Sequence, residues 1–163
     1  MIVTDDVFPD RSMSEHDKIS WMLETDGWAL VPVRATSSAS GPVPGYSFTI
    51  GLGAWSFPDV VVYGLAPVAA RGIVGELVDI LKGGGDVPIG APFVGLFDGG
   101  LRSALLSIDD LAGRFPIADA WYGSATWHMV QLTYPDPDGW LPWEPGFDRR
   151  MVLAQPLIGR VPT

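Results

Sequence analysis

The side chains best suited to ligand recognition are aromatic, and they cluster late in the chain. Indole and phenol rings bury a large apolar area while keeping a polar group available for a hydrogen bond. Four prolines stand beside the cluster, which contains Trp121, Tyr122, Trp127, Tyr134, Trp140, Trp143 and Phe147. We predict a ligand- or partner-binding site that uses Trp127, His128, Trp140 and Trp143, together with Tyr46 from an earlier strand. The alternative is that these rings only anchor a proline-rich loop over a sheet.

Catalytic residues are harder to assign. His128 is the only plausible general base, and an isolated histidine in a strand is more often structural. Neither His128 nor His16 has a second histidine or an acid at a metal-ligand spacing on a helix, so no metal site is expected. The chain has no cysteine, which excludes thiol catalysis, and it has no Gly-x-Ser-x-Gly motif. Whether the protein is an enzyme is left open, and no cofactor is identified.

Two short motifs resemble ligand-binding loops but fail on their context. Gly51-Leu-Gly53 follows a strand, yet the chain then leads into another strand rather than the helix N-terminus that a dinucleotide phosphate needs. Asp136-x-Asp138-Gly139 starts like a calcium loop, but Trp140 takes the place of an oxygen ligand. We predict a strand-ending turn for the first motif. For the second we predict a turn in which aspartate oxygens accept backbone N–H bonds.

The composition indicates one acidic domain. The chain has 163 residues, 47% of them hydrophobic, and a formal net charge of −9. A chain of this size buries roughly 70% of its unfolded surface on folding, so we treat residues 1–163 as a single globular domain with a core over about residues 14–159. Nucleic acid is not an expected partner, because phosphate binding requires clustered cations.

Location and partners follow from what the sequence lacks. No apolar run is long enough for a membrane-spanning helix, and the acidic N-terminal segment 1–11 has no signal-peptide pattern. The absence of cysteine fits a reducing compartment. We therefore expect a cytoplasmic protein that does not bind a membrane. A small-molecule ligand, a protein partner and a homo-oligomer stay open.

Two segments have the spacing of amphipathic helices. Ser14 and Asp17 have the spacing of a capping box, which predicts a helix over residues 14–25 that ends at Gly27. The second helix is predicted over residues 67–82. Its core-facing stripe is Ile73, Leu77 and Leu81.

Short strands make up the rest of the predicted fold. They are expected at residues 28–33, 46–52, 60–63, 93–97, 101–108 and 127–134, with a final extended segment at 151–158 and a mobile loop at 35–44. Asp109-Asp110 is expected to begin a short helical turn. Because helices and strands do not alternate regularly, we predict an α+β single domain. Its antiparallel or mixed sheet should have about six or seven short strands, with two main helices.

Residues 135–147, with the sequence PDPDGWLPWEPGF, form a predicted aromatic, proline-rich flap. Their four prolines restrict φ and reduce the entropy lost on ordering, so we expect the flap to be ordered over the sheet. Trp140 and Trp143 should diverge in a non-helical chain. One is then expected to anchor in the core while the other faces outward. Trp143, which lies between prolines, is the better candidate for the anchor.

Four stretches in this order resemble a bacterial family catalogued as domain of unknown function 4262. They are YSFTIGL at 46–52, PDVVVYGL at 58–65, QLTYPDPDGWLPWEPGF at 131–147 and QPLIG at 155–159. The similarity runs from about Trp28 to Gly159. Members often carry a histidine before the proline that matches Pro58, and here residues 53–57 contain none. The resemblance implies a stand-alone domain and brings no assigned reaction.

These observations support two functions of different classes. The leading hypothesis is a non-catalytic module that binds a small molecule or a protein through the flap. The alternative is a small flavin- or cofactor-binding enzyme of the split-barrel type, since such barrels also turn a strand like 46–52 into a buried strand like 60–63. A nucleic-acid mimic has less support, because the acidic residues are scattered rather than grouped.

Overall fold

The computed structural model describes residues 12–163 and contains three helices and eight strands within that range. The strands are β1 (Ala29–Val33), β2 (Thr36–Ser38), β3 (Gly41–Val43), β4 (Tyr46–Ile50), β5 (Asp59–Tyr63), β6 (Phe93–Val94), β7 (Arg102–Ser107) and β8 (Met129–Thr133). The helices are α1 (Glu15–Asp26), α2 (Pro67–Lys82) and α3 (Pro116–Tyr122). The acidic segment 1–11 that the sequence singles out lies outside the described residues.

A six-stranded mixed sheet in the order β1-β4-β5-β8-β7-β6 forms the centre of the fold. Its two middle strands, β5 and β8, are parallel, with Asp59 opposite Met129. Every other neighbouring pair in this sheet is antiparallel. Strands β2 and β3 form a separate two-stranded hairpin between β1 and β4. The α+β fold with a mixed sheet is therefore confirmed.

Helices cover both faces of the six-stranded sheet. On one face α2 buries Val74, Leu77 and Val78 against side chains of β5, β7 and β8. On the other face α1 and α3 pack their own apolar residues, among them Ile19 and Ala118, against the sheet. This arrangement explains why β5 is apolar after its first residue and fully buried, as expected for a strand covered on both sides.

The helix boundaries follow the local signals of the sequence. The Ser14 hydroxyl accepts a hydrogen bond from the Asp17 N–H group at 3.2 Å, and Gly27 ends α1 in the left-handed conformation. Pro67 occupies the first turn of α2, where its missing N–H group costs nothing. Pro32 lies in β1, which is an edge strand as its proline predicts.

Several predicted elements differ from the structure. Residues 35–44 contain the β2–β3 hairpin rather than one loop. The strand predicted at 93–97 shrinks to two residues, and α3 was not predicted at all. The segment 151–158 is not a strand, because its backbone groups bond within the segment and to the side chain of Gln131 instead of to a neighbouring strand. The Gln155 N–H group donates to the Met151 carbonyl, and the Gln131 amide bonds to the Pro156 carbonyl and the Ile158 N–H group.

The split-barrel architecture is wrong for this chain. Within residues 12–163 the sheet is open, with β1 at one edge and β6 at the other, and helices pack on both of its faces. Among the same residues, no helix has the length and apolar character needed to span a membrane.

The packing of α2 can be tested by cutting back Leu77, which is fully buried against the sheet. We expect Leu77→Ala to lower the free energy of unfolding by about 2–5 kcal/mol, because it removes buried surface and leaves a cavity. Urea denaturation measures the change. Gly72→Ala is the control on the exposed side of the same helix, where an added methyl group meets no atom. It should stabilise by up to about 1 kcal/mol. A small effect of Leu77→Ala would place α2 outside the core.

Candidate functional site

A buried carboxylate stands where β5 begins. Asp59 is 4% exposed, and its Oδ1 accepts hydrogen bonds from the Thr49 hydroxyl at 2.8 Å and from the Leu52 N–H group at 3.1 Å. Its Oδ2 accepts a hydrogen bond from the hydroxyl of Tyr122, the last residue of α3. A buried charge is tolerated only when donors surround it. Asp59 therefore ties β4, the turn after it and α3 to the start of β5.

Tyr122 extends the hydrogen-bond network of Asp59 to the backbone after β4. Its hydroxyl oxygen also accepts a hydrogen bond from the Gly51 N–H group at 3.1 Å. Gly51 has a φ of +103°, and a Cβ added there would lie 2.7 Å from the Leu23 side chain. The positive φ favours glycine at this position, and a side chain there would also displace the end of the Leu23 side chain.

The surrounding protein raises the pKa values of both Asp59 and Tyr122. Burial raises the pKa of Asp59, and hydrogen bonds from Tyr122, Thr49 and the Leu52 N–H group oppose that shift. The pKa of Tyr122 is raised by burial, by its hydrogen bond to Asp59 and by the charge of that carboxylate. The pair can therefore hold one proton between two oxygens, with the tyrosine as the donor when Asp59 is ionised. Titratable groups whose pKa values are shifted and that lie beside a cleft are candidates for a functional site.

A cleft of about 340 Å³ opens beside this pair, and we call it the amino-end cleft because it lies at the amino ends of β5 and β8. Trp127 stacks on Tyr122 with 5.7 Å between ring centroids and 19° between planes. Ser56 lies on the cleft wall and has a φ of +55°, which is rare for a residue with a side chain. The lining residues that matter chemically are Ser56, Phe57, Asp59, Tyr122, Trp127 and His128.

The residues predicted from the sequence do not form one site. Trp127 and His128 lie together in the amino-end cleft, immediately before β8. The His128 side chain is exposed and has no hydrogen bond or ion pair within residues 12–163, so it is not a structural strand histidine. Tyr46 lines a different cavity, and Trp140 and Trp143 belong to the flap beyond the carboxyl end of β8.

Asp136 organises the flap as an aspartate turn, as predicted. Its Oδ1 accepts hydrogen bonds from the N–H groups of Asp138 and Trp140, at 3.0 and 2.9 Å, and its Oδ2 accepts one from Asp148 at 2.8 Å. Arg102 of β7 donates from Nη1 to Glu144 Oε2 at 2.9 Å and from Nη2 to the Gly139 carbonyl at 3.1 Å. Within residues 12–163, no three His, Asp or Glu side chains come together as a metal site.

The prediction that Trp143 anchors the flap in the core is wrong. Leu141 is fully buried and Phe147 is nearly so, whereas Trp143 is only partly buried. Trp140 is 41% exposed, and its indole lies on the backbone of Gly146, where an added Cβ would come within 2.2 Å of the ring. The reason is local: the bonds to Asp136 and Glu144 fix the backbone so that Leu141 points inward.

Comparison with known proteins gives one result for this chain. A family model described as "Domain of unknown function (DUF4262)" matches residues 22–148. The chain belongs to this family. No curated protein and no solved structure matches it. The matched region of the DUF4262 domain contains the whole amino-end cleft and the flap, and it ends before Gly159, where the sequence resemblance ends.

Sequence reasoning missed the two central residues of the cleft in this DUF4262 domain. The strand predicted at 60–63 leaves out Asp59, although Asp59 directly precedes these apolar residues and Thr49 lies in the preceding strand. An acid at the start of a buried strand signals a carboxylate that needs donors. Tyr122 had no comparable signal, because its position depends on the unpredicted helix α3.

The buried carboxylate gives a pH dependence with a defined sign. The pKa of Asp59 is raised in the folded state. Protonation of Asp59 therefore favours folding, and its contribution to the free energy of unfolding is fully present below about pH 4. That stability is lost as pH rises through the folded pKa. Asp59→Asn cannot titrate, so the unfolding free energy of the natural chain minus that of the variant should fall as pH increases from about 4. Urea unfolding at a series of pH values measures it. Carboxylates present in both proteins cancel in the difference, and a difference that is constant or grows with pH would contradict the prediction.

A matched pair of substitutions tests the turn at Asp136. Asp136→Asn replaces an acceptor oxygen with an amide that cannot accept all three N–H bonds, so we expect a loss of about 1–3 kcal/mol. Asp138→Asn makes the same chemical change two residues away at an exposed side chain. Its effect should stay within about 0.5 kcal/mol. Equal losses in thermal or urea unfolding would show that Asp136 does not hold the flap.

Proposed function

We propose that this DUF4262 domain binds a small organic cation in the amino-end cleft. The observation that carries the proposal is the composition of the lining: three aromatic rings, from Phe57, Tyr122 and Trp127, accompany the buried carboxylate of Asp59. Within the described lining there is no lysine or arginine to repel a positive ligand. A cation is attracted to the faces of aromatic rings and to a nearby negative charge.

The size and shape of the cleft agree with such a ligand. Its volume of about 340 Å³ lies at the small end of the range for small-molecule sites, which begins at roughly 300 Å³. The Asp59 network holds the cleft walls in place before a ligand arrives, since Tyr122 is fixed by hydrogen bonds at Asp59 and Gly51. Preorganised walls reduce the entropy cost of binding. The unpaired His128 ring offers a polar contact at the rim.

The flap supports a binding function less well than the cleft. Trp140 packs on the flap's own backbone, and the Arg102 guanidinium, which would repel a cation, bonds to Glu144 and to the Gly139 carbonyl. A phosphorylated flavin also fits the cleft poorly, because its phosphate would meet no lysine or arginine in the described lining. We therefore assign recognition to Trp127 and His128 and a structural role to Trp140 and Trp143.

Choline, tetramethylammonium and ethylammonium are the probes for this proposal, with the uncharged carbon isostere of choline as their control. We expect saturable binding of at least one cation by calorimetry, with the isostere weaker by about tenfold because it lacks the charge. Backbone amide shifts in a nitrogen-15 NMR titration should change around residues 53–59 and 122–128. Equal binding of choline and its isostere, or no saturable binding of any cation, would overturn the proposal.

Two tryptophan substitutions separate the cleft from the flap. Trp127→Ala should weaken binding of the cation by about tenfold, and Trp127→Phe should have an intermediate effect because a smaller ring remains. Trp140→Ala should leave affinity unchanged, since Trp140 lies in the flap. The amide spectrum of each variant checks that the fold is intact. A loss with Trp140→Ala as large as that with Trp127→Ala would move recognition to the flap.

A further inference from the structure

A second and larger cavity lies at the opposite end of the sheet. It has a volume of about 880 Å³ and is lined by the end of β1, the start of β4, the residues after β5 and the first turns of α1 and α2. We call it the carboxyl-end groove, because it lies beyond the carboxyl ends of β1 and β5.

Two of the residues that line the groove are basic side chains without an acidic or carbonyl partner among residues 12–163. Most described lysine and arginine side chains contact an acid or a carbonyl group, as Arg71, Lys82, Arg102, Arg114, Arg150 and Arg160 do. Within residues 12–163, Lys18, Arg34 and Arg149 have no such contact. Two of these three, Lys18 and Arg34, line the groove. The chain has a formal net charge of −9, so acidic side chains are plentiful. Lys18 and Arg34 nevertheless form no ion pair within residues 12–163, so ion pairing does not explain their placement.

The remainder of the lining is largely apolar. On the α1 face of the sheet the lining includes the buried Met22 side chain and Tyr46, whose ring lies 5.1 Å from that of Tyr63. Leu30 lines the groove from the α2 face. Glu15 lies on the same wall as Lys18 and adds one negative charge to the two positive ones. The net charge therefore suits a ligand with a single negative charge better than a phosphate dianion.

From these observations we propose that the carboxyl-end groove binds an amphipathic monocarboxylate, with its carboxylate between Lys18 and Arg34 and its apolar part against Met22 and Tyr46. A guanidinium group and an ammonium group both donate charge-assisted hydrogen bonds to a carboxylate. The apolar part gains affinity by leaving water. This site is separate from the amino-end cleft, and the proposal does not rest on cation binding there.

Octanoate is the probe, with octanol as the uncharged analogue and inorganic phosphate as the anion without an apolar part. We expect octanoate to bind saturably in calorimetric and NMR titrations, with octanol and phosphate each weaker by about tenfold or more. Amide shifts should change at residues 18–22 and at Tyr46. Binding of octanol or phosphate as tight as that of octanoate would overturn the proposal, and so would the absence of saturable octanoate binding.

Substitutions of the unpaired cations provide the matched control. The double variant Lys18→Met, Arg34→Met should weaken octanoate by about tenfold or more, whereas Arg149→Met removes an unpaired cation outside the groove and should leave affinity unchanged. Lys18→Arg with Arg34→Lys keeps both charges and should retain most of the binding, even if the methionine variant folds poorly. Equal losses with Arg149→Met would overturn the site. Choline titration of the same variants reports on the amino-end cleft independently.

Discussion

Burial of the Asp59 carboxylate is the constraint on which the local architecture depends. An ion this deeply buried must be surrounded by hydrogen-bond donors, and here they come from Thr49 in β4, from the backbone at Leu52 and from Tyr122 in α3. Each donor belongs to a different segment. Satisfying one side chain therefore fixes the turn between β4 and β5 and the end of α3, and these are the segments that form the walls of the amino-end cleft.

The two ends of the central strands have opposite electrostatic character. At the amino ends of β5 and β8, the cleft combines a carboxylate with aromatic rings, and its described lining contains no lysine or arginine. Beyond the carboxyl end of β5, the groove contains Lys18 and Arg34 without acidic partners among residues 12–163. Because the two cavities lie at opposite ends of β5, ligands of opposite charge would not compete directly. Asp59 at the start of β5 lines the cleft, and Leu65 beyond its end lines the groove.

Local signals predicted the elements whose stability is local. Ser14, Gly27 and Pro67 set helix ends that the structure reproduces, because capping depends on residues close in sequence. The β2–β3 hairpin and α3 were missed for different reasons. The hairpin has mostly exposed residues, so it lacks the alternation that marks a half-buried strand. Helix α3 has only seven residues and depends on tertiary contacts, including those of Tyr122 with Asp59 and Trp127.

The flap shows why aromatic content alone did not separate the residues of the cleft from those of the flap. Its backbone is fixed by carboxylates, with Asp136 bonding three N–H groups and Glu144 bonding both Leu141 and Arg102. Once these bonds set the path of the chain, Leu141 and Phe147 point inward and Trp140 covers Gly146. The exposed indole is therefore a consequence of the turn geometry. Trp127 differs, because it lies against a perturbed carboxylate–tyrosine pair in a cavity, and this conjunction is visible only in three dimensions.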